Sequence, residues 1–238
     1  MKIILLGYGK MGKEIEKIAV DRKHQIAHKI DVHNKELLNP KDLRKGDIAI
    51  DFSTPESAYS NIMTCFEAGI PVVCGTTGWL DKFEEVKKVC LETKQAFFYA
   101  SNYSLGVNIF FAINKYLAAI MNQFNEYEIN MEEIHHTQKL DAPSGTAITL
   151  ANGIIGEMER FNKWNLDTAQ DNETIPIVAI RKNNVPGIHT ITYDSEVDLI
   201  TISHSAKSRK GFALGAVLAA EFILEKQGVF GMEDLLKL

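Results

Sequence analysis

Met1-Lys2-Ile3-Ile4-Leu5-Leu6-Gly7-Tyr8-Gly9-Lys10-Met11-Gly12 opens the chain. Met1 to Leu6 is a short apolar run, the composition of a parallel strand buried on both faces. It leads directly into a GxGxxG pattern and then into Lys13 to Val20, which reads as a helix. In such a pattern the first glycine allows the tight turn and the second lets backbone approach a pyrophosphate. The third lets helix and strand pack closely. Alone, these glycines could mark an ordinary turn. Here a strand precedes them and a helix follows. Asp31 ends the next strand (Gln25 to Ile30), about 20 residues on, where an acid accepts hydrogen bonds from adenosine ribose hydroxyls.

The same alternation continues for about a hundred residues. Asp47 to Phe52 reads as a strand, Glu56 to Glu67 as a helix and Pro71 to Cys74 as a strand. A helix over Leu80 to Glu92 and a strand over Gln95 to Tyr99 follow. Repeated βαβ units imply a parallel sheet covered by helices, with ligands beyond the carboxyl ends of its strands. Three such ends carry Ser53-Thr54-Pro55, Gly75-Thr76-Thr77-Gly78 and Ala100-Ser101-Asn102-Tyr103. Each could be a plain turn, but all fall on the side of the glycine loop. The expectation is a Rossmann-type α/β domain holding a dinucleotide. Its contacts would come from Gly7, Tyr8, Gly9, Lys10, Met11, Gly12, Asp31, Ser53, Gly75, Thr76, Thr77, Ala100, Ser101, Asn102 and Tyr103.

After Leu105 the pattern changes. Helices are predicted over Val107 to Met121 and Thr146 to Arg160, around a partly alternating strand, Glu126 to His136. Three strand-like segments then follow without helices between them: Pro176 to Ile180, Ile188 to Tyr193 and Leu199 to His204. That succession predicts a second α+β domain with a mixed sheet. Phe161 to Thr174 has the least pattern and reads as a loop. Lys210 to Lys226 reads as a closing Ala-rich helix.

Composition narrows the function classes. The 238 residues are 45% hydrophobic and 24% charged, ordinary for a globular chain long enough for two cores. A net charge of −5 without a basic run argues against nucleic acid. No apolar run approaches the ~20 residues of a membrane span, and the N-terminal strand does not read as a signal peptide. Cys65, Cys74 and Cys90 are too scattered for zinc or a disulfide framework, so buried thiols in a reducing cytoplasm are expected.

The chemistry concentrates in Glu133-Ile134-His135-His136-Thr137-Gln138-Lys139-Leu140-Asp141-Ala142-Pro143-Ser144-Gly145-Thr146-Ala147. His135, His136 and Lys139 can carry charge or supply a proton, and Ser144, Gly145 and Thr146 start a helix whose first amides favour an anion. Together they suit a small, acidic substrate that must be protonated. Adjacent histidines on a strand point to opposite faces and cannot readily share a metal, so no metal site is expected. Asp141 reads as a cap of the turn, and Arg181 and His189 as structural residues flanking Val185-Pro186-Gly187. Arg209 lies among Ala206-Lys207-Ser208-Arg209-Lys210, where charges usually mark a solvated face.

These segments resemble the dihydrodipicolinate reductase (4-hydroxy-tetrahydrodipicolinate reductase) family nearly end to end. GYGKMG, DFSTPES, CGTTGW, ASNYSLGVN, EIHHTQKLDAPSGTA, HSAKSR and GVFGMEDLL carry the resemblance. It implies NAD(P)H-dependent reduction of a cyclic dicarboxylate in the diaminopimelate route to lysine. It implies a dinucleotide domain over residues 1–104, completed by a C-terminal helix over 209–238, and a substrate and oligomerisation domain over 105–208. A cytoplasmic homotetramer built through the second domain's sheets is also implied. The chain crosses between the two domains near Asn102 to Val107 and Ser205 to Arg209, where hinges are expected. By motif, His135 is an acid near the reacting ring and Lys139 the proton donor. His136 and Arg209 contact the substrate, while Gly145 and Thr146 hold a carboxylate. Two departures stand out: the chain is short around Phe161 to Thr174, and residue 32 is Val where relatives often carry Arg. Two rival classes remain, a non-catalytic dinucleotide sensor and another Rossmann-type dehydrogenase.

Overall fold

The computed structural model describes residues 1–169 and 171–238. In chain order its first elements are β1 (Lys2–Leu6), α1 (Lys10–Asp21), β2 (Gln25–Ile30), α2 (Pro40–Leu43), β3 (Ile48–Asp51), α3 (Pro55–Ala68), β4 (Val72–Cys74), α4 (Phe83–Glu92) and β5 (Ala96–Tyr99). Then come α5 (Leu105–Met121), β6 (Glu128–His135), α6 (Gly145–Ile155), β7 (Lys163–Leu166), β8 (Thr174–Arg181), β9 (Ile188–Asp194) and β10 (Leu199–Ser205). The chain closes with α7 (Lys210–Ile223), β11 (Gly228–Phe230) and α8 (Met232–Leu236). It divides into two compact units, Met1–Leu105 with Arg209–Leu238, and Gly106–Ser208.

The first unit is built on a sheet of order β11-β5-β4-β3-β1-β2 in which every pair is parallel. The apolar run of β1 divides between two cores: Ile3 and Leu5 join one, Ile4 and Leu6 the other. A strand with helices on both faces needs hydrophobic side chains in both directions, which is why MKIILL does not alternate. Helix α1 turns Gly12, Ile15 and Ala19 inward. Helix α3 starts at Pro55 behind Thr54, whose side chain forms a capping box with Ser57, and stops at left-handed Gly69. Cys65, Cys74 and Cys90 are free and buried, and burial pushes their thiols up, away from the reactive thiolate.

The C-terminal reading needs a correction. The closing segment is not a helix alone: α7 ends at Ile223, and Gly228–Phe230 adds a parallel strand beside Ala96–Phe98. Three residues are too short to show a period, and the strand exists because the edge of β5 offers it hydrogen-bond partners.

The second unit has a sheet of order β10-β9-β6-β8-β7. Its pairs β6–β9 and β9–β10 are antiparallel, while β6–β8 and β7–β8 are parallel, so it is mixed. Helices α5 and α6 pack with Ile129, Met131, Ile175, Ile177, Ile191 and Tyr193 into its core. Asn114, buried, donates to the Leu150 carbonyl at 2.9 Å and ties the two helices together. The loop expected over Phe161 to Thr174 is wrong in part. Lys163–Leu166 pairs with Thr174–Ile177 as an edge strand, half-buried and without alternation, and Gln170 lies outside the described residues.

Candidate active site

The glycine loop of the first unit assigns each glycine a separate task. Gly7 has a φ of +88°, and a Cβ there would stand 2.2 Å from the Phe52 carbonyl oxygen. A Cβ on Gly12 would meet the Gly7 carbonyl oxygen at 2.3 Å. Gly9 is different: nothing lies within 4 Å of its Cβ position. Protein packing therefore demands glycine at 7 and 12, whereas at 9 only an incoming ligand would. That open cradle at a helix start fits a pyrophosphate. Lys10 is exposed at the first turn of α1, and Met11 is half-buried against the core.

Tyr8 anchors a cluster that sequence reasoning missed. Its hydroxyl contacts Glu16, whose carboxylate pairs with Lys29 at 2.6 Å, and the Lys29 ammonium lies 5.0 Å from the Tyr8 ring centre. Hydrogen bonds from Lys29 and then Tyr8 pull the Glu16 carboxyl down despite its partial burial. Asp31, just past β2, is half-buried; Oδ1 accepts the His33 amide at 2.8 Å, and its own amide donates to Asn34. Val32 is 70% exposed beside it.

The strand-end residues do not all offer side chains to a ligand. Asp51, fully buried at the end of β3, organises them. Its Oδ1 accepts from Thr76 Oγ1 (2.6 Å), Ser53 Oγ (2.8 Å) and the Ser53 amide (3.1 Å), and its Oδ2 from Asn61 Nδ2 (2.7 Å). Burial raises this carboxyl, and the four hydrogen bonds oppose the rise. Thr76 is thus a strut between two loops. Tyr103 also differs from the expectation of cofactor contact: its ring is buried and its hydroxyl donates to the Cys74 carbonyl at 2.8 Å, leaving only backbone for a ligand. Ala100 is buried as well; Ser101 and Thr77 are exposed, and Ser53, Gly75 and Asn102 are half-buried along the same loops.

In the second unit, strand register assembles the candidate chemistry. Along β6 every second residue is buried: Ile129, Met131, Glu133 and His135. The last two replace the apolar pattern with an acid and a base on the same face. Register places Arg181 of β8 beside His135, and His189 of β9 beside Glu133. Glu133, wholly buried, meets His135 Nδ1 at 2.6 Å through Oε2, and Oε1 accepts from Arg181 Nη2 (3.1 Å) and the Ser144 amide (3.2 Å). Burial alone would raise the Glu133 carboxyl; His135, the Ser144 amide and Arg181 outweigh it and hold it at about 2. Burial and the neighbouring His135 push His189 down to about 4, so it is neutral at neutral pH. Its Nε2 lies 3.0 Å from Ser144 Oγ.

Ser144 caps α6 by accepting from the Ala147 amide, so Asp141 is not the cap. Asp141 instead grips Lys139 with both oxygens, at 2.9 and 2.8 Å, while its carbonyl accepts from Arg181 at 2.7 Å. Gly145 is exposed at the helix start with open space at its Cβ position, and Thr146 follows half-buried. His136 is half-buried with Nδ1 unpartnered among the described residues. Arg209 belongs to the other unit, exposed at the start of α7. Sequence reasoning took Arg181 and His189 as loop or structural residues; the structure makes both part of the Glu133 cluster, which only cross-strand register reveals.

Glu133, His135 and His189 are spaced so that one ion could reach all three. Two features speak for a proton there instead. Donors bonded at ~2.0 Å to a tetrahedral ion stand more than ~3 Å apart, whereas Oε2 and Nδ1 are 2.6 Å apart. Arg181 also already balances the carboxylate.

Two family models cover the chain: "Dihydrodipicolinate reductase, N-terminus" matches residues 1–103, and "Dihydrodipicolinate reductase, C-terminus" matches residues 106–236. The 4-hydroxy-tetrahydrodipicolinate reductase of Christiangramia forsetii is 52% identical over 238 residues, covering 99% of this chain and 98% of the relative. That of Neisseria meningitidis is 33% identical, covering 82% and 74%. Among solved structures, dipicolinate-bound dihydrodipicolinate reductase from Paenisporosarcina sp. TG-14 shares the fold, with a TM-score of 0.79 and 22% identity over 97% of both chains. With both family models matched in sequence order and a relative similar from end to end, the chain belongs to the dihydrodipicolinate reductase family.

Proposed function

We propose that this chain reduces 4-hydroxy-tetrahydrodipicolinate to tetrahydrodipicolinate with loss of water, in the diaminopimelate route to lysine. The observation that carries the reading is the full-length 52% relative of that name. The polar end of β6 beside an anion-favouring helix start is its chemical counterpart. A reduced nicotinamide dinucleotide, held by the Gly7–Gly12 loop, Asp31 and the loops after β3, β4 and β5, supplies the hydride. As electrons move toward the ring nitrogen, a proton must arrive there. That proton comes from Lys139, whose ammonium Asp141 grips with both oxygens until a substrate carboxylate competes for it. His135 acts beside the reacting ring. Gly145 and Thr146 hold one carboxylate with the first amides of α6, and His136 and Arg209 contact the substrate, Arg209 as a bidentate grip.

Loss of nicotinamide absorbance with freshly generated substrate tests the reading. Dinucleotide binding without turnover would leave the sensor, and turnover of another substrate alone would leave a different dehydrogenase. Lys139→Ala and His135→Ala should each lower turnover by about 10²-fold or more, with dinucleotide affinity unchanged.

NADH is proposed to serve at least as well as NADPH. A 2′-phosphate ~5 Å from Asp31 would meet repulsion of about 3 kcal/mol per charge at an effective dielectric near 20. Solvent reduces that at a half-exposed site. Exposed Val32 offers no compensating cation, though Lys10 in the glycine loop and Lys35 beyond β2 could reach the phosphate. Val32→Arg should shift the kcat/KM ratio toward NADPH, and a wild-type NADPH advantage above about tenfold would overturn the proposal.

A homotetramer in the cytoplasm completes the reading. The face of the second sheet opposite its helices exposes Val178, Ile180 and Leu199, suited to another copy. No helix among the described residues is long and apolar enough to cross a membrane. Light scattering at working concentration tests the assembly.

A further inference from the structure

We propose that Glu133 is a positioning residue that keeps the Nδ1 proton on His135 and so presents Nε2 to the reaction; this rests on the role given to His135 above. The argument begins with separation. Oε2 and Nδ1 lie 2.6 Å apart, and two bare lone pairs at that distance would repel, so a proton stands between them. The contact misses ideal hydrogen-bond direction, so attraction between the carboxylate and the Nδ1–H dipole of the neutral ring carries it. The other carboxylate oxygen cannot take this place, because Oε1 already accepts from Arg181 Nη2 at 3.1 Å and from the Ser144 amide at 3.2 Å.

The opposite side of the ring is bordered by a glycine. A Cβ on Gly187 would stand 3.0 Å from His135 Nε2, so the glycine keeps a side chain from crowding that nitrogen. The ring is steadied by His189, whose ring centre is 5.1 Å away in an edge-on contact. Among the described residues the charged or titratable groups at the cluster are Glu133, Arg181, His189 and, paired with His189 from β10, His204, with the Lys139–Asp141 pair joined to it through the Arg181 bond to the Asp141 carbonyl.

Glu133→Gln separates orientation from packing. Two fixed donors, Arg181 and the Ser144 amide, demand an oxygen at the Oε1 position. The amide nitrogen of the substituted side chain then falls at the Oε2 position and donates toward Nδ1. His135 must answer with a bare Nδ1, and its neutral form carries the proton on Nε2 instead. An isosteric change thus inverts the tautomer without opening a cavity.

The test is ¹⁵N NMR of His135 in the full-length protein, with steady-state kinetics on the same samples. With the ring neutral, the wild type should show a protonated Nδ1 and a bare Nε2, and Glu133→Gln the reverse. kcat should fall by about 10²-fold or more, as a wrong tautomer does elsewhere, with KM for the dicarboxylate within about threefold. Glu133→Asp, which keeps the carboxylate at a shorter reach, should recover part of kcat. A wild-type ring protonated on Nε2 overturns the proposal without any variant. An inverted tautomer in Glu133→Gln with wild-type kcat overturns its relevance to the reaction. The NMR result on the free protein stands whichever substrate is turned over, so failure here and failure of the proposed activity are distinguishable.

Discussion

Gly9→Ala and Gly12→Ala should produce opposite phenotypes although the residues are three apart in one loop. At Gly12 the new methyl would sit 2.3 Å from the Gly7 carbonyl oxygen, more than about 1 Å inside the ~3.5 Å contact distance. The obstacle is backbone at the tightest part of the turn, so the cost falls near the top of the overpacking range, about 3 kcal/mol. For a chain of this size that lowers the unfolding midpoint by roughly 6–12 °C. At Gly9 the methyl meets nothing within 4 Å, and φ is −81°, which alanine adopts. Removing the unfolded chain's glycine freedom then stabilises by about 0.4–1 kcal/mol, a rise of roughly 1–4 °C. The same methyl stands where the pyrophosphate must approach, so dinucleotide affinity should drop at least about tenfold, or 1.4 kcal/mol. Thermal unfolding by circular dichroism and titration of nicotinamide fluorescence read the two effects separately. Gly9→Ala binding the dinucleotide as tightly as wild type would refute the loop as its cradle; an unmoved midpoint for Gly12→Ala would refute the packing argument.

Two further outcomes follow from buried carboxylates. Asp51→Ala strands the hydroxyls of Thr76 and Ser53, while the Ser53 amide keeps Thr76 Oγ1 and Asn61 keeps Ser53 Oγ as acceptors; at about 1–3 kcal/mol per orphaned buried group urea unfolding should show a loss of about 3 kcal/mol or more. Asp51→Asn keeps one acceptor oxygen and should lose less; equal losses would mean that the carboxylate does not organise these loops. Glu133, held at about 2 against an ordinary 4.5, contributes stability that is present above pH ~4.5 and lost as pH falls toward 2, on the order of 3 kcal/mol in total. Glu133→Gln should flatten that part of the stability–pH curve, and an acid limb identical to wild type would show that the charge is not bound there.

The first unit was legible because its signals are local. A non-alternating apolar run, three spaced glycines and an acid after the next strand each state their geometry within a few residues, and burial on both faces of β1 explains the composition. The HHTQKLDAPSGT segment could likewise be read as a proton-donating, anion-favouring stretch from residue types and a helix start. Tertiary structure decided what those groups meet. Glu133, Arg181 and His189 are separated by up to 56 residues (189 − 133), and only the register of β6 against β8 and β9 makes them neighbours. The same holds for Asp51, whose partners arrive from α3 and the loop after β4, and for Tyr103, whose ring burial no turn motif announces. Short strands β7 and β11 were invisible for a related reason: their stability comes from an edge already present, not from any pattern of their own. Periodicity and turn chemistry act between adjacent residues, whereas the company of a buried charge is set by strand pairing across the whole chain.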